Sequence, residues 1–261
     1  MDAIFGRDGE AFVPGELARG PWTPQAQHGG APAALLARAV ESCEGGEAMF
    51  VARLTIELLR PVPIAPLTVA VGFERPGRKV QLVRASLRSG DAEVARATGL
   101  RIRRADVAAP PELAHIAPPP PPSSGVGGNP PWAAPGGYIA FHSHGVEHRF
   151  VAGSFREAGP ATDWIRLRVP LVEGEAASPL CRVAAAADFG NGVSWVLHRD
   201  DGYSFINPDL TIYLFRAPVG EWICLDARTH VGPSGTGLAE STLFDEQGCI
   251  GRSLQSLLIE K

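Results

Sequence analysis

The chain has 261 residues, with 24 Lys and Arg against 28 Asp and Glu, for a net charge of −4. That length suits one large domain or two of about 130 residues, each able to bury a core of its own. The charge balance excludes a strongly basic surface for nucleic acid or anionic membrane, and 45% apolar with 20% charged residues is an ordinary globular composition.

The N-terminal stretch MDAIFGRDGEAF is acidic and has no apolar run, so it reads as neither a secretory signal nor a transit peptide. No segment approaches the roughly 18 consecutive apolar residues of a transmembrane helix, and no membrane insertion is expected. Gly29-Gly30-Ala31-Pro32 opens a helix over Ala33–Val40: Ala and Leu favour helix, and Pro suits a first turn. Apolar residues then alternate as in strands, at Leu54, Ile56 and Leu58, at Leu67, Val69, Val71 and Phe73, and again at Val80 and Leu82. Arg75-Pro76-Gly77 supplies a hairpin turn between the last two.

The run Pro118–Pro122, followed by Ser123-Ser124-Gly125, cannot form helix or central strand. Residues 105–137 therefore read as a Pro/Gly-rich linker between an N-terminal unit, 1–104, and a C-terminal unit, 138–261. His142, His144 and His148 share a parity if that segment is a strand, but no Cys, Asp or Glu joins them at ligand spacing, so no metal site is expected. Further on, Ser178 is a helix N-cap with Pro179 behind it, Leu180–Phe189 forms the helix, and Gly190 fits its end.

After that helix the pattern of the first half returns. Leu54-Thr55-Ile56-Glu57-Leu58-Leu59-Arg60 is echoed by Leu210-Thr211-Ile212-Tyr213-Leu214-Phe215-Arg216 at an offset of 156 residues. Gly232-Pro233-Ser234-Gly235 takes the place of the first hairpin turn. Each half is thus a helix followed by antiparallel strands, an α+β arrangement in which an Ala-rich helix and one sheet face bury each other. The four cysteines, Cys43, Cys181, Cys224 and Cys249, lie far apart without zinc-ligand spacing and read as reduced, packed thiols of a cytoplasmic protein.

Two residues carry chemistry in this reading. Asp188 lies near the C-terminal end of its helix, where a carboxylate opposes the helix dipole, a costly placement if it serves no purpose. It can act as a general base, or turn out to solvent at a frayed end. Aligning Pro32 with Pro179 sets Glu41 opposite it, so an acid here also has an architectural reading. Gln255 shares a strand face with Leu257 and Ile259, so its amide needs buried partners if that face is the core. At the repeat offset Gln255 corresponds to Gly99, and Asn207 to Val51, so the polar groups occur in one half only.

Quoted together, Gln27-His28-Gly29-Gly30 before the first helix, Ala187-Asp188-Phe189-Gly190-Asn191-Gly192, Phe205-Ile206-Asn207-Pro208-Asp209-Leu210-Thr211, Gly237-Leu238-Ala239-Glu240-Ser241 and Gly251-Arg252-Ser253-Leu254-Gln255-Ser256 resemble the acyl-CoA thioesterase II (TesB-like) family. The resemblance implies a double hotdog: two tandem repeats, each with an Ala-rich helix wrapped by an antiparallel sheet. It implies an acyl-CoA substrate, no cofactor, and a catalytic trio in the second repeat. That trio consists of an Asp, matched by Asp188, a Gln, matched by Gln255, and a Thr or Ser whose place is taken here by Asn207. It also implies further association into a homo-oligomer.

The expected activity is hydrolysis of an acyl-CoA to free acid and CoA, in fatty acid metabolism. Water is activated at Asp188, Asn207 and Gln255, while the turn His28-Gly29-Gly30 binds substrate or offers backbone N–H groups to the oxyanion. Direct attack by the Asp to give a mixed anhydride stays open. The alternatives are a non-catalytic acyl-CoA or lipid-binding protein, and an enoyl-CoA hydratase. The hydratase ranks last because no His stands at a recognisable spacing from Asp188.

Overall fold

The structure, a computed structural model, describes residues 2–108, 116–130 and 137–261. In chain order, a small hairpin of β1 (Phe5–Asp8) and β2 (Ala11–Pro14) precedes helix α1 (Gly30–Ser42). There follow β3 (Met49–Leu58), β4 (Thr68–Arg75), β5 (Val80–Ser89) and β6 (Ala92–Arg103). The second half has β7 (Val126–Gly127), β8 (Val146–Ala152), β9 (Ala161–Leu167), helices α2 (Pro179–Ala187) and α3 (Gly190–Val193), then β10 (Ser204–Ile206), β11 (Asp209–Leu214), β12 (Ile223–Val231), β13 (Thr236–Asp245) and β14 (Gly248–Glu260).

The repeat read from the sequence is realised strand by strand. Among the described residues the main path of the large antiparallel sheet runs β4-β5-β6-β3-β11-β14-β13-β12-β9-β8-β7, so β3 and β11 meet at the seam with the other repeated strands in mirrored order on either side. At the seam Thr55 pairs with Thr211, its own counterpart at the repeat offset, and Leu54 pairs with Ile212 while Ile56 pairs with Leu210. A residue opposite its own repeat image in an antiparallel pair marks a local two-fold axis through that pair. This is the double hotdog: one continuous sheet wraps two helices.

The helices can share that space because their touching faces are small. Ala31, Ala33, Ala34 and Ala37 of α1 and Ala184–Ala187 of α2 are all buried. A Cβ at Gly30 would come within 2.6 Å of the Ala185 carbonyl oxygen, so only glycine permits this approach. Around the seam Leu35, Leu36, Val40, Leu54, Ile56, Leu210 and Ile212 are sealed from water, each large aliphatic side chain contributing about 1.5–3 kcal/mol by burial. The helices run in opposite senses, the start of α1 beside the end of α2 and Ser178, before α2, hydrogen-bonded to Glu41 near the end of α1.

Ser178 caps α2 as expected, its hydroxyl accepting from the Cys181 amide at 3.1 Å. The helix, however, does not run on to Phe189 and stop at Gly190. It ends at Ala187, Asp188 is the C-cap, and Gly190 begins the separate turn α3. A Cβ at Gly190 would meet Gln255 Oε1 at 2.8 Å, so this glycine is a close-approach site rather than a terminator. His142 and His144 are not in a strand either: Phe141–Gly145 forms one π-helical turn, and only His148 lies on β8.

Of the stretch 105–137, residues 109–115 and 131–136 lie outside the described residues. Residues 120–127 lie on the second half: the Pro120 carbonyl accepts from Trp164 Nε1 at 2.8 Å, Pro122 is buried, and β7 adds to the sheet beside β8.

Candidate active site

A cavity of about 950 Å³ opens where the two halves meet. Its walls are mostly apolar and include Trp22, Leu58, Val62, Phe189, Trp195 and Phe205. Arg60 and Arg156 also line it and are exposed. Asp188, Asn207, His28 and Gly29 line the same cavity.

The carboxylate of Asp188 is the centre of this group, its side chain only 6% exposed. Asn207 Nδ2 donates to Oδ1 at 2.8 Å, and Gln255 Nε2 reaches the same oxygen at 3.3 Å. On the other side His28 Nδ1 lies 3.0 Å from Oδ2. The helix end that exposes carbonyls here is also served: Gln255 Nε2 donates to the Asp188 backbone oxygen at 3.1 Å. The structure therefore brings together Asp188, Asn207, Gln255 and His28.

Their roles are not equal. Gln255 is 1% exposed and does not line the cavity; its Oε1 accepts from the Asn191 amide at 3.1 Å, so it braces Asp188 from behind. Gly29 faces the cavity, and its amide makes no hydrogen bond among the described residues. The Gly30 amide instead points at His28 Nδ1, 3.1 Å away, and Gly30 does not line the cavity. Of the two glycine amides expected at an oxyanion, only that of Gly29 is available, because Gly30 is already the first residue of α1 and is turned toward α2.

Sequence spacing gave no hint of a His beside Asp188, and the structure corrects this. His28 and Asp188 meet because the start of α1 packs on the end of α2, a contact between the two halves. His142 was also missed. Only 2% exposed, it lines the cavity with its ring 6.1 Å from that of His28, and neither of its nitrogens has a partner among the described residues. Burial, and then the neighbouring imidazoles, push its pKa down to about 3, so it is neutral. The sole signal in the sequence was its place in the cluster of three histidines. One layer behind, across Phe189, His148 Nδ1 and Asp163 Oδ2 lie 2.6 Å apart and fully buried, with burial raising the Asp163 pKa against the opposing pull of His148.

The thiols offer no nucleophile here. Cys181 is buried, its pKa pushed up to about 12, and burial raises Cys224 as well. No group of three or more His, Cys, Asp or Glu among the described residues could hold a metal ion.

The Acyl-CoA thioesterase N-terminal domain family matches residues 18–102, and the Acyl-CoA thioesterase C-terminal domain family matches residues 110–259. The chain belongs to the acyl-CoA thioesterase family. Solved structures agree on the fold. A candidate thioesterase II from Thermobifida fusca YX has 18% identity and a TM-score of 0.75, over 100% of this chain and 96% of that one. A hot dog protein of unknown function from Alicyclobacillus acidocaldarius has 17% identity and a TM-score of 0.73, over 100% and 97%. Acyl-CoA thioesterase II TesB2 from Mycobacterium marinum has 19% identity and a TM-score of 0.65, over 90% of each chain. No curated protein matches the chain by sequence.

The three residues singled out in the second repeat by the sequence are in contact: the Asn207 amide donates to the Asp188 carboxylate and the Gln255 amide reaches the same oxygen. No helix among the described residues is long and apolar enough to cross a membrane.

Proposed function

We infer that this protein hydrolyses an acyl-CoA thioester to a free acid and CoA. The observation that carries this reading is a nearly buried carboxylate, Asp188, held by two amides and flanked by an imidazole on the wall of a large apolar cavity. An acyl chain suits the apolar walls, and the exposed Arg60 and Arg156 suit a phosphate-bearing carrier. Water held at Asp188 and Asn207 attacks the thioester carbonyl, and the Gly29 amide is the donor placed to receive the developing oxyanion. Gln255 keeps the carboxylate in place without touching the reacting atoms.

Free-thiol release from short, medium and long acyl-CoAs tests this. Asp188→Ala should lower kcat by a factor on the order of a hundred or more. Saturable acyl-CoA binding with no turnover on any chain length would leave a binding protein on this fold instead.

The pairing of His28 with Asp188 favours a second reading, since proton transfer at a double bond needs such a pair. It predicts hydration of an enoyl-CoA with no thiol released. The amide-braced carboxylate and the unpartnered Gly29 amide support hydrolysis over hydration, because an oxyanion needs both a directed water and a donor.

A further inference from the structure

Two side chains that line the cavity are more than nine-tenths buried and carry polar atoms without a partner: His142, 2% exposed, and Gln27, 7% exposed. Neither nitrogen of His142 makes a hydrogen bond among the described residues. Gln27 Nε2 donates to the Pro63 carbonyl at 2.8 Å, while Oε1 has no donor. A carbonyl can only accept, so that contact fixes which end of the Gln27 amide is left bare. Buried polar atoms are nearly always paired, because an unmade hydrogen bond there gives up water and gains nothing in return. Both residues flank the centre of the site. Gln27 precedes His28 in the chain, and the His142 ring lies 6.1 Å from that of His28, whose Nδ1 is 3.0 Å from the Asp188 carboxylate. The turn that carries His142 is itself specialised. Phe141–Gly145 is π-helical, and the Ala140 carbonyl accepts from the His144 amide at 2.8 Å and the Gly145 amide at 3.3 Å. Such turns recur at functional sites.

We propose that His142 and Gln27 select an acyl-CoA whose acyl group carries a hydroxyl close to the thioester. The proposal rests on the hydrolase reading above and names the substrate class of that same site. A neutral imidazole offers one N–H and one lone pair, and a hydroxyl is the smallest group that answers both. The bare Gln27 oxygen only accepts, so it too requires a donor. A keto group has no proton to give and leaves the imidazole lone pair and the Gln27 oxygen unmet. An ammonium has no lone pair for the imidazole N–H.

A plain alkyl chain meets the apolar walls but leaves these atoms unpaired where water is excluded. A site built around a buried hydrogen bond to a substrate hydroxyl rejects the analogue lacking it far more strongly than an apolar pocket rejects one methylene. Burial and the neighbouring imidazoles hold the His142 pKa at about 3, so the ring keeps one donor and one acceptor at neutral pH. Because the His142 ring stands one ring away from His28, the hydroxyl belongs near the thioester and not at the far end of a long chain.

The test compares kcat/KM for thiol release from a straight-chain acyl-CoA and from its 2-hydroxy, 3-hydroxy and 3-oxo derivatives of equal length. The wild type should turn over one of the hydroxy derivatives at about tenfold or more the efficiency of both the unsubstituted and the oxo thioester. His142→Phe should bring that ratio to about one, whereas His142→Gln, which keeps a donor and an acceptor, should retain part of it. Equal efficiencies in the wild type, or a preference undiminished in His142→Phe and His142→Gln alike, overturn the proposal. Non-hydrolysable thioether analogues supply a second arm: by calorimetry the hydroxy analogue should bind about tenfold more tightly than the unsubstituted one. No thiol from any substrate, together with that tighter binding, would overturn the hydrolase reading and leave the hydroxyl site standing. Turnover without discrimination in either arm would overturn the hydroxyl site alone.

Discussion

Thr55 and Thr211 face each other across the seam of the sheet, hydroxyl to hydroxyl at 3.4 Å, each the repeat image of the other. The axis between them makes the loss of symmetry elsewhere easy to see. Gln255 braces the end of α2, but its image, Gly99, lies where a Cβ would come within 2.2 Å of Val40 Cγ1. The end of α1 is closed by Arg101, 1% exposed, whose guanidinium donates to the carbonyls of Cys43 and Glu44, both at 2.8 Å. Glu41, the image of Asp188, is turned to the Ser178 hydroxyl, and burial raises its pKa. At one end of the helix pair packing and an arginine leave only smaller clefts, of about 360 and 280 Å³, while the other end opens onto the cavity of about 950 Å³.

Gln255→Leu removes a buried amide with partners on both sides. The Asn191 N–H and the Asp188 carbonyl each lose a hydrogen bond. Denaturant unfolding should show a loss of about 1–3 kcal/mol. Thiol release should fall tenfold or more, because the carboxylate is no longer held, while substrate KM changes little.

Gly29→Ala tests the tightness of the site. The backbone there is already helical, so the substitution adds no conformational strain. The new Cβ would lie 2.7 Å from Asp188 Oδ2, and the carboxylate must move away. A displacement on the scale of an ångström costs about 10²-fold in rate. The expected outcome is a large drop in kcat with a melting temperature close to wild type.

Asn207→Thr restores the hydroxyl type that the family resemblance calls for. A hydroxyl can donate to Asp188 Oδ1 as the amide does, so kcat should stay within about tenfold of wild type. Asn207→Leu supplies no donor and should lose on the order of 10²-fold. Equal rates in the two variants would show that this position does no more than fill space.

His142 links the site to acid stability. Its pKa is about 3 in the folded chain against an ordinary value of 6.5, because burial disfavours the cation. Between those values the unfolded chain binds a proton that the folded one does not. Stability from this group is therefore complete above about pH 6.5 and is lost as pH falls toward 3, by up to ~1.4 kcal/mol per pH unit. Urea unfolding at pH 7 and pH 5 should show a smaller drop for His142→Phe than for wild type, the difference isolating this ring from the other titrating groups.

The two halves, their helices, the hairpin turns and the offset of 156 were legible in the sequence, because alternation, capping residues and turn residues act over a few positions at a time. The same local logic marked Asp188, as a carboxylate set against the helix dipole, and Gln255, as an amide on the strand face shared with Leu257 and Ile259. It misjudged Gly190 because a close approach and a helix stop both select glycine, and it misread residues 141–145 because strand parity says nothing of a π-helical turn.

What the sequence by itself determined was thus the repeat, the strand and helix types, and the half in which the polar residues lie. Only the tertiary structure decided that His28 meets Asp188, that Gln255 stands behind the carboxylate rather than in the cavity, and that His142 closes the wall beside them. The reason is physical. Which end of α1 lies on which end of α2 is settled by how closely two Ala- and Gly-rich faces can pack across the axis at Thr55 and Thr211, a contact between residues far apart in the chain that no local pattern encodes.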